Sequence, residues 1–268
     1  MVVIDEMLKA AALGIVQALT EFLPVSSSGH MVIAKTLLGI NEEHISIEVV
    51  THFATALAVL IYLRHRVVEI LRAVGTRLTV RREDMTEHQQ KDFRLLLLVI
   101  VGTIPAAIVG LAARDHIGRF FEDVTTTSTM LIVTGVFVLV SGRLGRPGAS
   151  LGLVRALIVG IGQAFAIIPG ISRSGFTVGT GLLAGLERKE AFEFSLLLSL
   201  PAIIGASTIE VVSGRVGGEP AILLAAALPA FGGGYLAISL LFRAIVRNRF
   251  HMFAYYLIPL GIALLIFR

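Results

Sequence analysis

Pro24-Val25-Ser26-Ser27-Ser28-Gly29-His30 interrupts an apolar stretch running from about residue 7 to 40, and Pro169-Gly170-Ile171-Ser172-Arg173-Ser174-Gly175 interrupts a second from about 151 to 185. Both breaks are polar and turn-forming. The pieces on either side are about 10 to 18 residues long, whereas a helix needs about 20 apolar residues to cross roughly 30 Å of hydrocarbon. At least one piece of each pair is therefore too short to cross, and the pattern predicts two helical re-entrant hairpins. Irregular backbone at membrane depth is tolerated only where it is buried in protein or lines a wet cavity. Each break thus predicts a cavity wall.

Around these regions, full spans are predicted at 46–64, 93–113, 126–142, 190–212, 220–242 and 251–267. The composition agrees with lipid as the solvent: 55% of residues are hydrophobic, 16% are charged and the mean hydropathy is +0.85, against about a quarter charged in soluble domains. The longest polar stretch, 64–94, is too short to bury its own core and reads as a loop. One integral domain, 1–268, is the natural count. Residues 1–10 lack a basic start and a small-residue cleavage pattern, so no removable signal is expected. Absence of cysteine excludes disulfides and thiolate chemistry. The net charge of +4 lies in loops between apolar spans, where it sets orientation; no nucleic-acid partner is expected.

With both broken regions as hairpins, the loops 64–94, 143–155, 188–189 and 243–249 fall on one side and carry 8, 3, 2 and 3 Lys/Arg. The opposite side carries six: Lys9, Lys35, Arg114, Arg119, Arg215 and Arg268. Basic loops face the cytoplasm, so the first hairpin opens from outside, the second from inside, and both termini lie outside. A shift of 146 residues superimposes Gly14 on Gly160, Gln17 on Gln163, Ala18 on Ala164, Ser26 on Ser172, Ser28 on Ser174, Gly29 on Gly175 and Gly39 on Gly185. The halves, about 1–145 and 146–268, read as an inverted-topology repeat that brings two broken helices together around a pseudo-two-fold axis. The expected fold is an all-α polytopic membrane protein with six transmembrane helices and two oppositely oriented re-entrant hairpins.

The halves differ where chemistry enters: Glu21 aligns with Ile167, Ser27 with Arg173 and His30 with Phe176. Ionisable groups inside a membrane are costly and face functional cavities. A guanidinium presents a planar fork of donors suited to phosphate oxygens, so Arg173 implies an anionic ligand. Serines and glycines at helix starts leave backbone amides converging on the same anion. Phosphoryl transfer needs a nucleophile, a base and positive charge, and Ser27, Glu21 or His30, and Arg173 can fill those roles. A carboxylate can also hold a hard divalent cation; Glu21 is the leading ligand, with Gln17 beside it.

Gln17-Ala18-Leu19-Thr20-Glu21-Phe22-Leu23-Pro24-Val25-Ser26-Ser27-Ser28-Gly29-His30 and Pro169-Gly170-Ile171-Ser172-Arg173-Ser174-Gly175 resemble the two signatures of the undecaprenyl-diphosphate phosphatase (bacitracin-resistance) family. The likeness extends through Glu193-Phe194-Ser195-Leu196-Leu197-Leu198-Ser199-Leu200-Pro201 to essentially the whole chain. It implies hydrolysis of undecaprenyl diphosphate to the monophosphate, recycling the lipid carrier for cell-envelope glycan synthesis. It also implies a multi-pass plasma-membrane location, a site reached from the outer face and dependence on a divalent cation, Mg²⁺ or Ca²⁺. The signature admits Glu or Gln at its opening position; Gln17 here argues against a paired-carboxylate metal site. By the same resemblance Ser27 is the nucleophile, with His30 as the alternative. Glu21 and His30 handle protons or metal, and Arg173 binds phosphate with Ser26, Ser28, Gly29, Ser172, Ser174 and Gly175.

Plainer readings stand beside these. Serines and glycines in membrane helices commonly serve close packing, and the matched Gln17 and Gln163 suggest a structural hydrogen bond across the pseudo-two-fold. His52, Glu48, Glu193 and Glu210 fall at or near span ends, where snorkelling or capping accounts for them, and are left out of the site. Two rival functions use the same features: a lipid-phosphate flippase, for which inverted repeats are the usual architecture, and a noncatalytic sensor needing only the anion cradle. The predicted partners are the polyprenyl diphosphate and membrane lipids; a homodimer is compatible with the sequence.

Overall fold

A computed structural model of the chain describes residues 2–40, 45–112 and 123–267. Three of the basic residues counted above, Arg114, Arg119 and Arg268, lie outside the described residues, as does the end of the span predicted at 93–113. The described residues form eleven α-helices: α1 (Val2–Phe22), α2 (Ser27–Leu37), α3 (Ile45–Tyr62), α4 (Arg64–Thr79), α5 (Glu87–Ala112), α6 (Val124–Leu144), α7 (Leu153–Phe165), α8 (Arg173–Leu183), α9 (Arg188–Val212), α10 (Pro220–Val246) and α11 (Ala254–Ile266). Short 3₁₀ turns precede α5 and α11.

Five of these helices, α3, α5, α6, α9 and α10, are long and apolar enough to cross a bilayer. The predicted sixth span, 251–267, is a 3₁₀ turn followed by the 13-residue α11. Large apolar side chains point outward along the long helices. On α5, Ile100, Ile104, Ile108 and Leu111 are all exposed, a contiguous stripe that water would not tolerate and lipid solvates.

The stretch 64–94 is not the loop its charge suggested. Residues 64–79 form α4, whose Ile70 and Ala73 are buried at helical spacing, and α5 begins at Glu87. Arg66 fastens α4 to its neighbours: it pairs with Asp92 of α5 and donates to Glu193 of α9 at 2.7 Å and Glu69 at 3.1 Å. Apolar periodicity plus one ion-pair network built on the buried Asp92 outweighs the local density of charge.

The matched serines and glycines of the repeat have physical tasks. Ser26 caps α2 by accepting from the Gly29 amide at 3.4 Å, and Ser172 caps α8 by accepting from Gly175 at 3.1 Å. Gly39 and Gly185 end those helices at φ 65° and 86°, the left-handed conformation that spares glycine its usual penalty. After each, the next amide closes a 6→1 bond, Ile40 to Lys35 and Leu186 to Gly181. Gly14 and Gly160 mark close helix approaches: a Cβ at Gly14 would sit 2.1 Å from the Ala226 oxygen of α10, and one at Gly160 2.2 Å from the Gly102 oxygen of α5. The repeat is therefore exchanged, with α1 packing on α10 and α7 on α5.

Gly160→Ala must push α7 off backbone, which does not yield as a side chain does. It is expected to lower the thermal unfolding temperature in detergent, with a loss of about 1–3 kcal/mol. Gly205→Ala, where a Cβ meets nothing within 4 Å, is the control and is expected to leave stability unchanged or higher.

The expected hydrogen bond between Gln17 and Gln163 does not form. Gln17 donates to Glu21 one turn along its own helix at 2.7 Å, and the buried Gln163 amide meets no side-chain or backbone partner among the described residues. The asymmetry follows from position 167: where Gln17 has Glu21 four residues on, Gln163 has Ile167.

Candidate active site

The two breaks meet back to back. The Gly170 amide donates to the Ser28 hydroxyl at 3.4 Å, and the Ser174 hydroxyl donates to the Leu23 carbonyl at 3.1 Å. The last serine of each break thus satisfies backbone freed by the turn of the other. Ser27 and Arg173 are the first residues of α2 and α8. The amides of Ser27, Ser28, Arg173 and Ser174 consequently have no acceptor within their own helices. Ser26 holds φ 69° and ψ 98°, a conformation a serine adopts at a cost of order 1–3 kcal/mol, whereas Ser172 is relaxed at φ −81°. The strain falls in the half that carries hydroxyl, carboxylate and imidazole.

Glu21 joins the halves. Its carboxylate is buried, 4% exposed, and every partner is polar. Oε2 accepts from Ser27 Oγ at 2.8 Å and Gln17 Nε2 at 2.7 Å. Oε1 pairs with the Arg173 guanidinium, whose other arm reaches the Ser199 carbonyl at 3.4 Å. A single carboxylate therefore touches the hydroxyl of one break and the cation of the other. Thr177 steadies the arginine from behind, bonding the Arg173 carbonyl at 2.8 Å and the Ser195 hydroxyl at 2.6 Å.

His30 belongs to the same first turn but faces elsewhere. Its Nδ1 lies 2.9 Å from the Ser26 carbonyl, which can only accept, so the proton sits there and Nε2 accepts from the Tyr256 hydroxyl at 2.7 Å. The two rings stack at 5.7 Å. Of the two bases considered for Ser27, only Glu21 is in hydrogen-bond contact with it.

Two residues outside the sequence-derived set enter here. Tyr256 lies 226 positions from His30, and no local pattern marked it. His52 was set aside as a span-end residue, but its Nε2 stands 3.6 Å from Glu21 Oε2, with Nδ1 2.7 Å from the Glu48 carbonyl. The other acids set aside are accounted for: Glu48 pairs with Lys35, Glu193 with Arg66 and Glu210 with Arg215.

The profile of the family described as bacitracin resistance protein BacA matches residues 10–263. The chain belongs to the BacA family. Among relatives of this BacA-family chain, the undecaprenyl-diphosphatase of Desulfosudis oleivorans is 39% identical over 267 residues, covering 96% of each chain. That of Rubrobacter xylanophilus is 39% identical over 266 residues, covering 94% of each, and that of Korarchaeum cryptofilum 36% identical over 264 residues, covering 97% and 98%.

Away from the breaks, this BacA-family chain has an apolar groove of about 480 Å³ between α4, α5 and α9, lined by residues such as Ile70, Val99, Leu197 and Leu200. A further carboxylate and imidazole group, Glu69, His88 and Asp92, surrounds the Arg66 guanidinium. Glu69 and Asp92 both pair with that cation, and the group reads as part of the network holding α4.

Proposed function

We propose that this chain hydrolyses a polyprenyl diphosphate, of the undecaprenyl type for which its relatives are named, to the lipid monophosphate and inorganic phosphate. The observation that carries the reading is the hydrogen bond from Ser27 Oγ to Glu21 Oε2 at 2.8 Å, with Arg173 of the other half on Oε1. A flippase or a sensor needs donors for the anion. A hydroxyl held on a buried carboxylate is the arrangement of an activated nucleophile and its base.

In this reading the diphosphate enters over the two helix starts. The amides of Ser27, Ser28, Arg173 and Ser174 and the fork of Arg173 take its oxygens, while Ser26, Gly29, Ser172 and Gly175 shape the turns that present those amides. Ser27 Oγ attacks the terminal phosphorus as Glu21 accepts its proton. The bond from that phosphorus to the bridging oxygen breaks, and the lipid monophosphate departs with the proton that Glu21 hands on. Water then attacks the phosphorus held on Ser27 as the ionised Glu21 takes its proton, the bond from phosphorus to Oγ breaks, and Glu21 returns the proton to Ser27 as phosphate leaves. His30, braced by Tyr256 and the Ser26 carbonyl, fixes the first turn of α2 beside the reacting groups.

The donor set also suits a divalent cation: an ionised carboxylate with hydroxyl and amide groups about it offers hard oxygen ligands. Glu21 and Gln17 would hold it, and when bound it would supply charge to the phosphate oxygens.

The topology belongs to the same proposal. The helices α2, α7 and α8 have 11, 13 and 11 residues, short of the roughly 20 that cross a bilayer. They are read as arms of oppositely oriented re-entrant hairpins, with the basic loops cytoplasmic and the site open to the outer face. Phosphate release from a long-chain polyprenyl diphosphate by the detergent-purified chain, with Mg²⁺ or Ca²⁺ and with chelator, tests the reaction. Release that needs the cation supports it, and a validated substrate left intact would overturn it.

A further inference from the structure

His52 has its ring orientation decided by backbone. The Glu48 carbonyl accepts and cannot donate, so at 2.7 Å it requires the proton on Nδ1. Nε2 of a neutral ring is then a bare lone pair, and it points at another acceptor, Glu21 Oε2, 3.6 Å away. Two acceptors face each other stably only if a positive centre, a second ring proton or a bound cation, lies between them. The separation is informative. Two ligand atoms about 2.1 Å from one ion, at angles from 90° to about 120°, stand roughly 3.0–3.6 Å apart. A carbonyl receiving the far ring N–H is also the outer partner that metal-bound imidazoles use to fix their tautomer. Gln17, on the other side of the same oxygen, carries no charge, so Glu21 is the one carboxylate of the cluster.

We propose that His52 Nε2 is a ligand of the site's cation together with Glu21 Oε2, giving a mixed nitrogen and oxygen donor set that prefers ions such as Mn²⁺, Co²⁺ or Zn²⁺ to Ca²⁺. The inference rests on the cation site assigned above and adds to it the ligand that sets ion preference, since imidazole suits transition ions and oxygen-only sets suit Ca²⁺ and Mg²⁺. His52 is about one-third exposed at its side chain, which leaves an entry path for a hydrated ion.

The test is Mn²⁺ binding to the full chain in detergent without substrate, read by electron paramagnetic resonance for affinity and by its pulsed form for coupling of the bound ion to nitrogen. The expected result is nitrogen-coupled Mn²⁺ in the wild type. In His52→Gln and His52→Ala the coupling should vanish and Mn²⁺ affinity fall about 10-fold or more, while Ca²⁺ affinity, read by competition, changes less than about threefold. Mn²⁺ bound without nitrogen coupling in the wild type would overturn the proposal and leave His52 as an ion-pair partner of Glu21. Coupling that survives both substitutions, or absence of Mn²⁺ binding, would overturn it as well. Phosphate release measured on the same preparations separates the two ideas: turnover without nitrogen coupling sinks the ligand and keeps the hydrolase, and coupling without turnover does the reverse.

Discussion

Ser27→Ala is expected to lower phosphate release from the polyprenyl diphosphate by at least about 10³-fold while leaving the protein folded. The side chain is half-buried and its hydroxyl makes one contact, to Glu21 at 2.8 Å, so removing it opens no sizeable cavity. Glu21 keeps Gln17 and Arg173 as partners. A purely structural serine would show the opposite balance, with stability lost and turnover kept. The same experiment weighs the alternative nucleophile. Both nitrogens of His30 are occupied, by the Ser26 carbonyl and the Tyr256 hydroxyl, so His30→Gln is expected to reduce turnover less than Ser27→Ala. Full turnover in Ser27→Ala with none in His30→Gln would move the attack to His30. Acid-quenched phosphoserine found in the wild type and missing from Ser27→Ala would show the intermediate directly.

The two breaks were legible because their signals are local. Proline and glycine stop a helix, and a serine followed three residues later by glycine restarts one, which is how Ser26 and Ser172 act. The repeat made Gly14 and Gly160 visible as a pair, though only the backbone oxygens of Ala226 and Gly102 explain them. Helix α4 was misread because its arginines outweighed the spacing of Ile70 and Ala73; the partners that hold Arg66, at Asp92 and Glu193, come from two other helices. The same distance in sequence hid Tyr256. His52 was hidden differently: at one turn from Glu48 it resembles a capping residue, and only the fold brings its free nitrogen to Glu21. Symmetry misled at Gln17, since the repeat matched the glutamines but not the glutamate that one of them serves.

Arg173→Ala is expected to cost both turnover and stability, and a second substitution should separate the two. A guanidinium meeting transferred phosphoryl oxygens contributes on the order of 10³-fold or more to turnover. Its loss also strands Glu21, a carboxylate 4% exposed, and removing one member of a buried pair costs about 3–5 kcal/mol. Arg173→Gln combined with Glu21→Gln removes both charges at once. Because replacing a whole buried pair by neutral groups is often close to neutral, the double variant is expected to unfold at a higher temperature than Arg173→Ala, near the wild type, and to remain inactive. Stability that stays low in the double variant would mean that the pair aligns the two breaks by its geometry rather than by neutralising a charge. Restored turnover would remove Glu21 and Arg173 from the reaction. The expected split, with stability regained and activity absent, follows from the placement of Glu21: one carboxylate serves as the base for one half of the repeat and as the counter-ion for the other, and no neutral residue does both.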